Sequence, residues 1–502
     1  VAVWTGQVAV FRFDATPAIG TGHAMRCLTL ADALEAAGWR CLFAIRPETL
    51  ATAPRKAWLR ERALILDQDE DAEPSRLGAR FANGYDLLVV DHYQRGAAFE
   101  RASRLWARRI LAIDDLADRG HDADLLLDPT LGRSLEDYRP LVPPACRLQL
   151  GPRYALLRPQ FARWRPAALA RRAPGPVRRL FVSLGGTDPQ DATSRVLDGV
   201  AEAGVGATVD VVVGAAASHT TRVRAKAARM PGVRVHVGVA DIAALMAEAD
   251  LAIGAAGTAT WERCCLGLPT LAVVLADNQR GNAAALEASG AARVLGDADR
   301  LTPATVAKAV RTLAEDALAR AAMAAASAAV CDGLGTARML LEFLPPAPAR
   351  DGTPVALRAL ALEDADAVFA WQQDPETRRF SREPRPPTRA EHHAWVAQAD
   401  AAPDRLSMVV TLAGAPAGLL RLDRMPASGA FEVSILTAPG YYRRGLAAAA
   451  LALARRLLPE AEFRAFVKPE NAASHALFRA AGYRPGPEGY YISQGRSDVS
   501  DA

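Results

Sequence analysis

The chain has 502 residues, half of them hydrophobic and 23% charged, which is the balance of a folded protein and more chain than one core sustains. The formal net charge is +4, but lysine occurs only at Lys56, Lys226, Lys308 and Lys468, and no dense Lys/Arg block marks a nucleic-acid-binding face. The cysteines (Cys27, Cys41, Cys146, Cys264, Cys265, Cys331) form no C-x-x-C pair and have no histidine at ligand spacing, so neither a metal nor a disulfide framework is expected.

No basic-then-apolar signal segment opens the sequence. The alanine-rich stretches Gly445–Ala454 and Ala321–Val330 are too short to cross a bilayer, so no membrane partner and a cytoplasmic location are expected.

In chain order, Val8–Phe13 reads as a buried strand, followed by Asp14 and a loop ending in Gly20-Thr21-Gly22. A helix then starts near His23, with Ala24, Cys27, Leu28, Ala31 and Leu34 on one face and Gly38 as its stop. Strands follow at Cys41–Ile45, at Tyr85–Val90 before Asp91-His92-Tyr93, and at Ile110–Ile113 before Asp114-Asp115. Short apolar strands that end in polar residues and alternate with helices indicate a parallel α/β sheet, whose ligands bind beyond the strands' carboxyl ends. His23, Asp91, Tyr93 and Asp114 fall at that edge.

The proline- and arginine-rich stretch Arg163–Arg179 interrupts the rhythm, which resumes at Leu180–Ser183 before Leu184-Gly185-Gly186-Thr187-Asp188. Strands at Val209–Val213, Leu251–Ile253 and Leu271–Leu275, with a helix around Trp261–Leu266, build a second lobe. Leu344–Pro354 reads as a linker. Beyond it, strands at Ser407–Leu412, Gly418–Asp423 and Phe431–Leu436 precede a long alanine-rich helix, the order of an α+β domain. The expected fold class is therefore α/β: Rossmann-like lobes over residues 8–165 and 177–343, a linker at 344–354, and an α+β domain over 355–495.

Two readings attach to each candidate residue. Gly20 and Gly22 let backbone approach a ligand at a helix N-terminus, while His23 is either a helix residue tied to backbone or a general base working near neutral pH. Amides around Gly185, Gly186 and Thr187 suit phosphate oxygens. In Gly254–Glu262, Gly257 and Thr258 suit a diphosphate. Glu262 is either a ribose ligand or a solvated helix residue, and Asn278-Gln279 follow. Asp91 is as readily structural as functional.

As an ordered set these pieces resemble the MurG-like two-lobed glycosyltransferases (GT-B type). They resemble still more the UDP-sugar hydrolases of pseudaminic acid biosynthesis, through Arg12-Phe13-Asp14, Ile19–His23 with Arg26-Cys27-Leu28, Asp91-His92-Tyr93, Asp114-Asp115, Tyr154–Arg158, Gly185–Asp188 and Glu262 with Asn278-Gln279. The resemblance covers about residues 9–340. It implies inverting, metal-independent hydrolysis of UDP-2,4-diacetamido-2,4,6-trideoxy-β-L-altropyranose to UDP and free sugar. His23 is then the base that activates water, Tyr93 and Asp91 position water or sugar, and Arg158 contacts sugar or phosphate. Backbone donors near Thr258 stabilise the departing UDP. A glycosyltransferase using a UDP-sugar, with the last domain acting on a different amine, is the alternative.

In the last domain, Pro439–Ala447, with Arg443, Arg444, Gly445, Leu446 and Ala447, resembles the acetyl-CoA-binding loop of the GNAT acetyltransferases, although Tyr442 stands where the motif has Arg or Gln. Asn471, Ser474, Phe478 and Gly482-Tyr483 match the second GNAT signature, and the resemblance implies that Asn471, Ser474 and Phe478 join the loop residues in binding the cofactor. The resemblance implies acetyl-CoA as co-substrate and an amine acceptor, with a UDP-activated 4-amino sugar expected from the fusion. Many members place a tyrosine acid where this chain has Phe478. Glu432 is the preferred base or an outward-facing strand residue, with His475, Tyr441 and Tyr483 as alternatives.

Overall fold

Parallel strands buried on both faces need near-continuous apolar runs, and the chain supplies them twice before residue 300. The computed structural model describes residues 6–16, 19–66, 72–80, 84–215, 217–239, 241–399 and 401–495. The first lobe contains β1 (Val8–Phe13), β2 (Arg40–Ile45), β3 (Ala63–Ile65), β4 (Leu87–Asp91), β5 (Ile110–Ile113), β6 (Leu125–Asp128) and β7 (Arg147–Leu150). They form a parallel sheet in the order β3-β2-β1-β4-β5-β6-β7.

The second lobe contains β8 (Arg179–Ser183), β9 (Thr208–Val213), β10 (Val233–Val237), β11 (Leu251–Ala255), β12 (Thr270–Val274) and β13 (Arg293–Asp297), again all parallel, in the order β10-β9-β8-β11-β12-β13. Both orders reverse direction at one place, between β1 and β4 and between β8 and β11. Crevices open at such switch points beyond the strand carboxyl ends, and the candidate loops follow β1, β4, β8 and β11. The edge strands β3, β7, β10 and β13 escape the sequence reading because an edge strand needs no continuous apolar run. Arg147-Leu148-Gln149-Leu150 and Val233-Arg234-Val235-His236-Val237 alternate instead.

Two expectations are corrected here. The Pro/Arg-rich interruption is helical as far as Ala170, in the helix Pro159–Ala170, which carries Pro166 inside it. Phe161 and Ala168 are fully buried among Trp261, Cys264 and Cys265, so this helix packs in the second lobe's core and a first-lobe limit at 165 cuts through it. Arg165 fixes it by donating from Nη1 to the Cys265 and Cys331 carbonyls (2.7 and 3.0 Å) and from Nη2 to that of Ala328 (3.0 Å). Tertiary packing here outweighs the proline's missing N–H.

The second correction concerns 344–354. The chain divides into one unit of Val1–Glu35 with Trp39–Thr336 and another of Ala36–Gly38 with Ala337–Ala502. The expected linker belongs wholly to the second unit, where β14 (Ala347–Pro348) pairs antiparallel with β15 (Pro354–Ala359). Its prolines sit at a sheet edge, where a missing donor costs nothing. The apolar stretch Ala317–Leu340 has membrane-like length and mean hydropathy, but the helix Ala317–Val330 ends at Cys331, which is extended, and helix resumes only at Gly335.

In the second unit the sheet continues with β16 (Arg405–Leu412), β17 (Ala415–Arg424), β18 (Phe431–Thr437), β19 (Phe463–Phe466), β20 (Arg484–Pro485) and β21 (Tyr490–Ser493), in the order β14-β15-β16-β17-β18-β19-β21-β20. Only the pair β18–β19 is parallel, and it is joined at Phe431↔Phe463 and Glu432↔Arg464 alone, while β18 stays paired with β17 through Thr437. Past Glu432 the two strands part, and β18 presents an unpaired edge.

The glycine loop after β8 is held by a close approach. A Cβ on Gly214, just past β9, would overlap the Gly186 carbonyl oxygen. Gly214→Ala is expected to lower the unfolding free energy by about 3 kcal/mol, read from the urea midpoint. An unchanged midpoint would show that the loop yields freely.

Candidate functional site

His23 and Arg26 lie three residues apart on the helix Gly22–Ala36, a spacing that puts both side chains on one face. That face meets Asp91, the last residue of β4, beside Phe13 of β1. His23 Nδ1 lies 2.5 Å from Asp91 Oδ1. Arg26 grips the same carboxylate in a fork, Nε to Oδ2 and Nη2 to Oδ1 at 2.6 Å each, and reaches Asp115 with Nη1 at 3.0 Å. Burial alone would raise the Asp91 pKa, but Arg26 and His23 hold it well below the ordinary carboxylate range. A carboxylate fixed as the anion fixes the tautomer: His23 Nδ1 donates to Asp91, and Nε2 is left as acceptor. Among the described residues nothing bonds to Nε2.

Tyr93 packs edge-on against the His23 ring, with centroids 4.8 Å apart. Burial raises its phenol pKa, and the nearby Asp115 carboxylate adds to the effect. Its hydroxyl accepts a hydrogen bond from Asn278 Nδ2 of the second lobe at 3.0 Å.

The lobes also meet at their glycines. A Cβ on Gly22 would stand 3.0 Å from Thr258 Oγ1, and one on Gly186 would stand 2.6 Å from Thr21 Oγ1. Gly20 takes φ +86°, turning the chain into this contact. Gly257 lies beside Gln279, whose Oε1 accepts from the Leu275 amide at 3.0 Å. Asn282, which the sequence reading did not single out, donates to the Ala256 carbonyl at 2.8 Å and buttresses the same loop. Only side-chain geometry reveals it.

Glu262 faces Arg158 at 3.5 Å rather than open solvent, and burial raises its pKa against that cation's pull. Arg158 also lies over the Phe161 ring. After Gly185, Gly186 and Thr187, the Asp188 carboxylate accepts the Ala192 and Thr193 amides at 2.9 Å each, filling the N-terminus of the helix Ala192–Ala203. Loop amides, not that helix end, are what this loop offers an anion.

Other motif residues are paired with one another. Arg12 pairs with Asp14 (2.8 Å) and Glu73 (3.1 Å), Arg95 also holds Glu73 (3.0 Å), and His92 reaches Asp14 (2.9 Å). Asp114 is bonded by Tyr138 (2.8 Å), the Ala117 amide (2.9 Å) and Arg119 (2.8 Å). His121 lies beside Glu100 (2.8 Å) and Asp114 (3.8 Å). Burial opposes charge on His121, but these two carboxylates outweigh it and lift its pKa to about 9.

In the second unit, Gly445 sits at φ +87° as the N-cap of the helix Leu446–Leu457, and a Cβ there would come within 3.0 Å of the Arg350 amide nitrogen. The first-turn amides of Leu446 and Ala447 point out of that helix end, a fit for pyrophosphate oxygens beside the open β18 edge. Exposed Arg443, at φ +60°, flanks them, and Arg444 is bound to Asp351 at 3.1 Å.

Three further candidate residues of this unit bond or pack within it. Asn471 caps the helix Ala472–Ala480 by accepting the Ser474 amide at 3.0 Å. Phe478 is 3% exposed and packs between Tyr483 and Tyr491, within the core. Glu432 is ion-paired with Arg382, which also bonds Tyr490 at 3.1 Å and lies over the Phe466 ring. A carboxylate held by a guanidinium serves as a base only after that cation moves. His475 Nδ1 pairs with the Tyr491 hydroxyl at 3.0 Å, and burial pushes the Tyr483 phenol to about 12.

Residues 181–334 match the glycosyltransferase family 28 C-terminal domain, and residues 355–484 match the acetyltransferase (GNAT) domain. The chain is similar to the spore coat polysaccharide biosynthesis protein SpsG of Bacillus subtilis, with 27% identity over 288 residues, 55% of this chain and 80% of that protein. It is also similar to the UDP-2,4-diacetamido-2,4,6-trideoxy-beta-L-altropyranose hydrolase of Campylobacter jejuni, with 23% identity over 282 residues, 56% of this chain and 96% of that protein. Among solved structures, MurG of Acinetobacter baumannii overlays with a TM-score of 0.46 at 15% identity, over 67% of this chain and 98% of that one.

Asp91→Asn is expected to lower kcat by roughly 10³–10⁴-fold, because an amide donates to Nδ1 and moves the His23 proton to Nε2. UDP affinity should change by less than about three-fold, since Asp91 faces the helix and not the second lobe. A parallel loss of both, by single-turnover kinetics and calorimetry, would instead make Asp91 a binding residue. A second expectation concerns pH. His121 has a folded pKa of about 9 against an ordinary value of 6.5, so its stabilisation is complete below pH 6.5 and is lost as pH rises through about 9. Stability of the wild type should fall across that window, and His121→Gln should flatten the fall in urea titrations at each pH.

Proposed function

We propose that this chain, which joins a family 28 glycosyltransferase C-terminal domain to a GNAT domain, is a bifunctional enzyme of nucleotide-sugar metabolism. Its two-lobed unit hydrolyses UDP-2,4-diacetamido-2,4,6-trideoxy-β-L-altropyranose to UDP and free sugar. Its GNAT domain transfers acetyl from acetyl-CoA to the amine of a UDP-4-amino sugar, the step that makes such a diacetamido substrate. Both co-substrates belong to the cytoplasm.

The observation that carries the reading is the unpartnered Nε2 of His23, held by Asp91 and Arg26 at the switch point of the first lobe. In this reading His23 Nε2 takes a proton from water as the oxygen attacks the anomeric carbon. The bond from that carbon to the UDP oxygen breaks, with inversion. Negative charge gathering on the diphosphate is met by the amides of Gly257 and Thr258 and of the Gly185–Thr187 loop, while Arg158 and Glu262 take the sugar or ribose hydroxyls. Tyr93 and Asn278, bonded across the lobes, close the site over the sugar. Similarity to the Campylobacter jejuni hydrolase supports this assignment.

In the GNAT domain the amine attacks the thioester carbonyl and coenzyme A leaves as the thiolate. Pyrophosphate rests on the Leu446 and Ala447 amides beside Arg443. Glu432 takes up the amine's proton through water once the acceptor displaces Arg382.

Purified protein incubated with the 4-amino UDP-sugar should consume acetyl-CoA and then release UDP without any added acceptor, and His23→Ala should abolish UDP release while acetyl transfer continues. UDP release that requires an added acceptor would convert the first unit into a glycosyltransferase. UDP release only from pre-acetylated substrate would give the GNAT domain another amine.

A further inference from the structure

Arg263 follows Glu262 on the helix Ala259–Cys265 and is 1% exposed, among the largest fully buried side chains of the protein. Its guanidinium lies against the end of β11. A Cβ on Gly254 would stand 2.6 Å from Nη1 and 2.8 Å from Cζ, so the glycine opening this loop makes room for a cation. Nη2 donates to the Ala255 carbonyl at 2.6 Å and to Thr260 Oγ1 at 3.1 Å. Nε and Nη1 donate to no group among the described residues. Among the described residues no carboxylate lies within ion-pair reach. Burial lowers the Arg263 pKa to about 10, against the weaker opposing pull of Cys264 and Glu262.

An unpaired buried charge is costly, and apolar replacement of such groups is commonly neutral or stabilising. Packing therefore does not explain an arginine here. Its position does, since Arg263 lies directly behind the loop Ala256–Thr258. The Ala256 amide is committed to the Val273 carbonyl, whereas the Gly257 and Thr258 amides donate to no described group.

We propose that Arg263 is a positioning residue for a diphosphate: its charge, only partly offset by Glu262 in the ligand-free protein, lies behind the Gly257–Thr258 amides and is balanced when a nucleoside diphosphate binds on the loop's outer side. It touches no ligand. By gripping the Ala255 carbonyl it orients the peptides that follow, and its field strengthens their amides as donors in a site of low dielectric. Selectivity for a diphosphate over an uncharged nucleoside then comes partly from a residue with no surface of its own. This rests on the UDP-binding reading of the second lobe.

The test uses the full chain and two probes, UDP and uridine, by calorimetry, with the thermal midpoint of the ligand-free protein measured alongside. Arg263→Met is expected to weaken UDP binding about ten-fold, leave uridine binding within about two-fold, and hold or raise the ligand-free midpoint. The Ala255 carbonyl keeps the Thr260 hydroxyl as donor in that variant (3.3 Å). Arg263→Lys, which keeps the charge, should retain most of the UDP preference over uridine. Unchanged UDP affinity in Arg263→Met overturns the proposal. So does an equal loss for both probes, a midpoint several degrees lower, or a variant that does not fold, since each makes the arginine a structural residue. Wild-type protein that binds neither probe overturns the UDP reading itself, and this inference with it.

Discussion

The first lobe is organised around one carboxylate. Asp91 ends a strand whose other residues are apolar and buried, at the place where the sheet order reverses, and it has no water to solvate it. An anion in that position must be met by cations or donors. Arg26 supplies two hydrogen bonds and His23 a third, both from one face of the helix that follows β1. Strand register places Asp91 beside Phe13, and the helix starts only after the Gly20–Gly22 turn. The turn, the helix and the strand end are therefore fixed relative to one another by the need to neutralise a single buried charge. The same need orients the imidazole and leaves its second nitrogen available to a substrate.

Contact between the lobes follows a different logic, that of missing side chains. Gly22 accepts Thr258 against its backbone, and Gly186 accepts Thr21. Any Cβ at Gly186 would stand inside the contact shell of the opposing threonine. Because these residues follow β1, β8 and β11, the carboxyl ends of both sheets face one another across backbone rather than bulky side chains. Amides thus lie within reach of whatever occupies the gap. Tyr93 and Asn278 add a directional bond to this steric contact.

Much of this was legible in the sequence, for a physical reason. Central parallel strands, glycine turns, the helix-start residue His23 and the strand-end residue Asp91 each leave a local signature, because their environment is set by neighbours close in sequence or by burial on both faces. What stayed hidden depends on partners far along the chain. That His23 meets Asp91 requires a contact across 68 residues. The Pro159–Ala170 helix defeats its own proline because Phe161 and Arg165 find partners around Cys265 and Cys331. In the GNAT domain, signature residues take unlike places: Asn471 serves as a helix cap and Phe478 fills the core. A motif records which residues recur together and not which of them meet the ligand. The edge strands β7 and β10 and the Ala347–Pro348 ladder lacked any continuous apolar run to find.

The arginines separate the groups that folding requires from those it merely tolerates. Arg12 lies between Asp14 and Glu73, and Arg26 between Asp91 and Asp115. Arg165 closes three helix-end carbonyls that would otherwise be orphaned. Each of these is explained by what the folded chain itself presents. Arg263 is as deeply buried as any of them, yet it keeps two donors idle beneath a loop whose own amides are also uncommitted. Unmet donors on both sides of one loop are hard to attribute to packing, since a core selected for stability alone would have filled the space with carbon. They are what a site preorganised for an anion requires, because donors already oriented need no rearrangement when charge arrives.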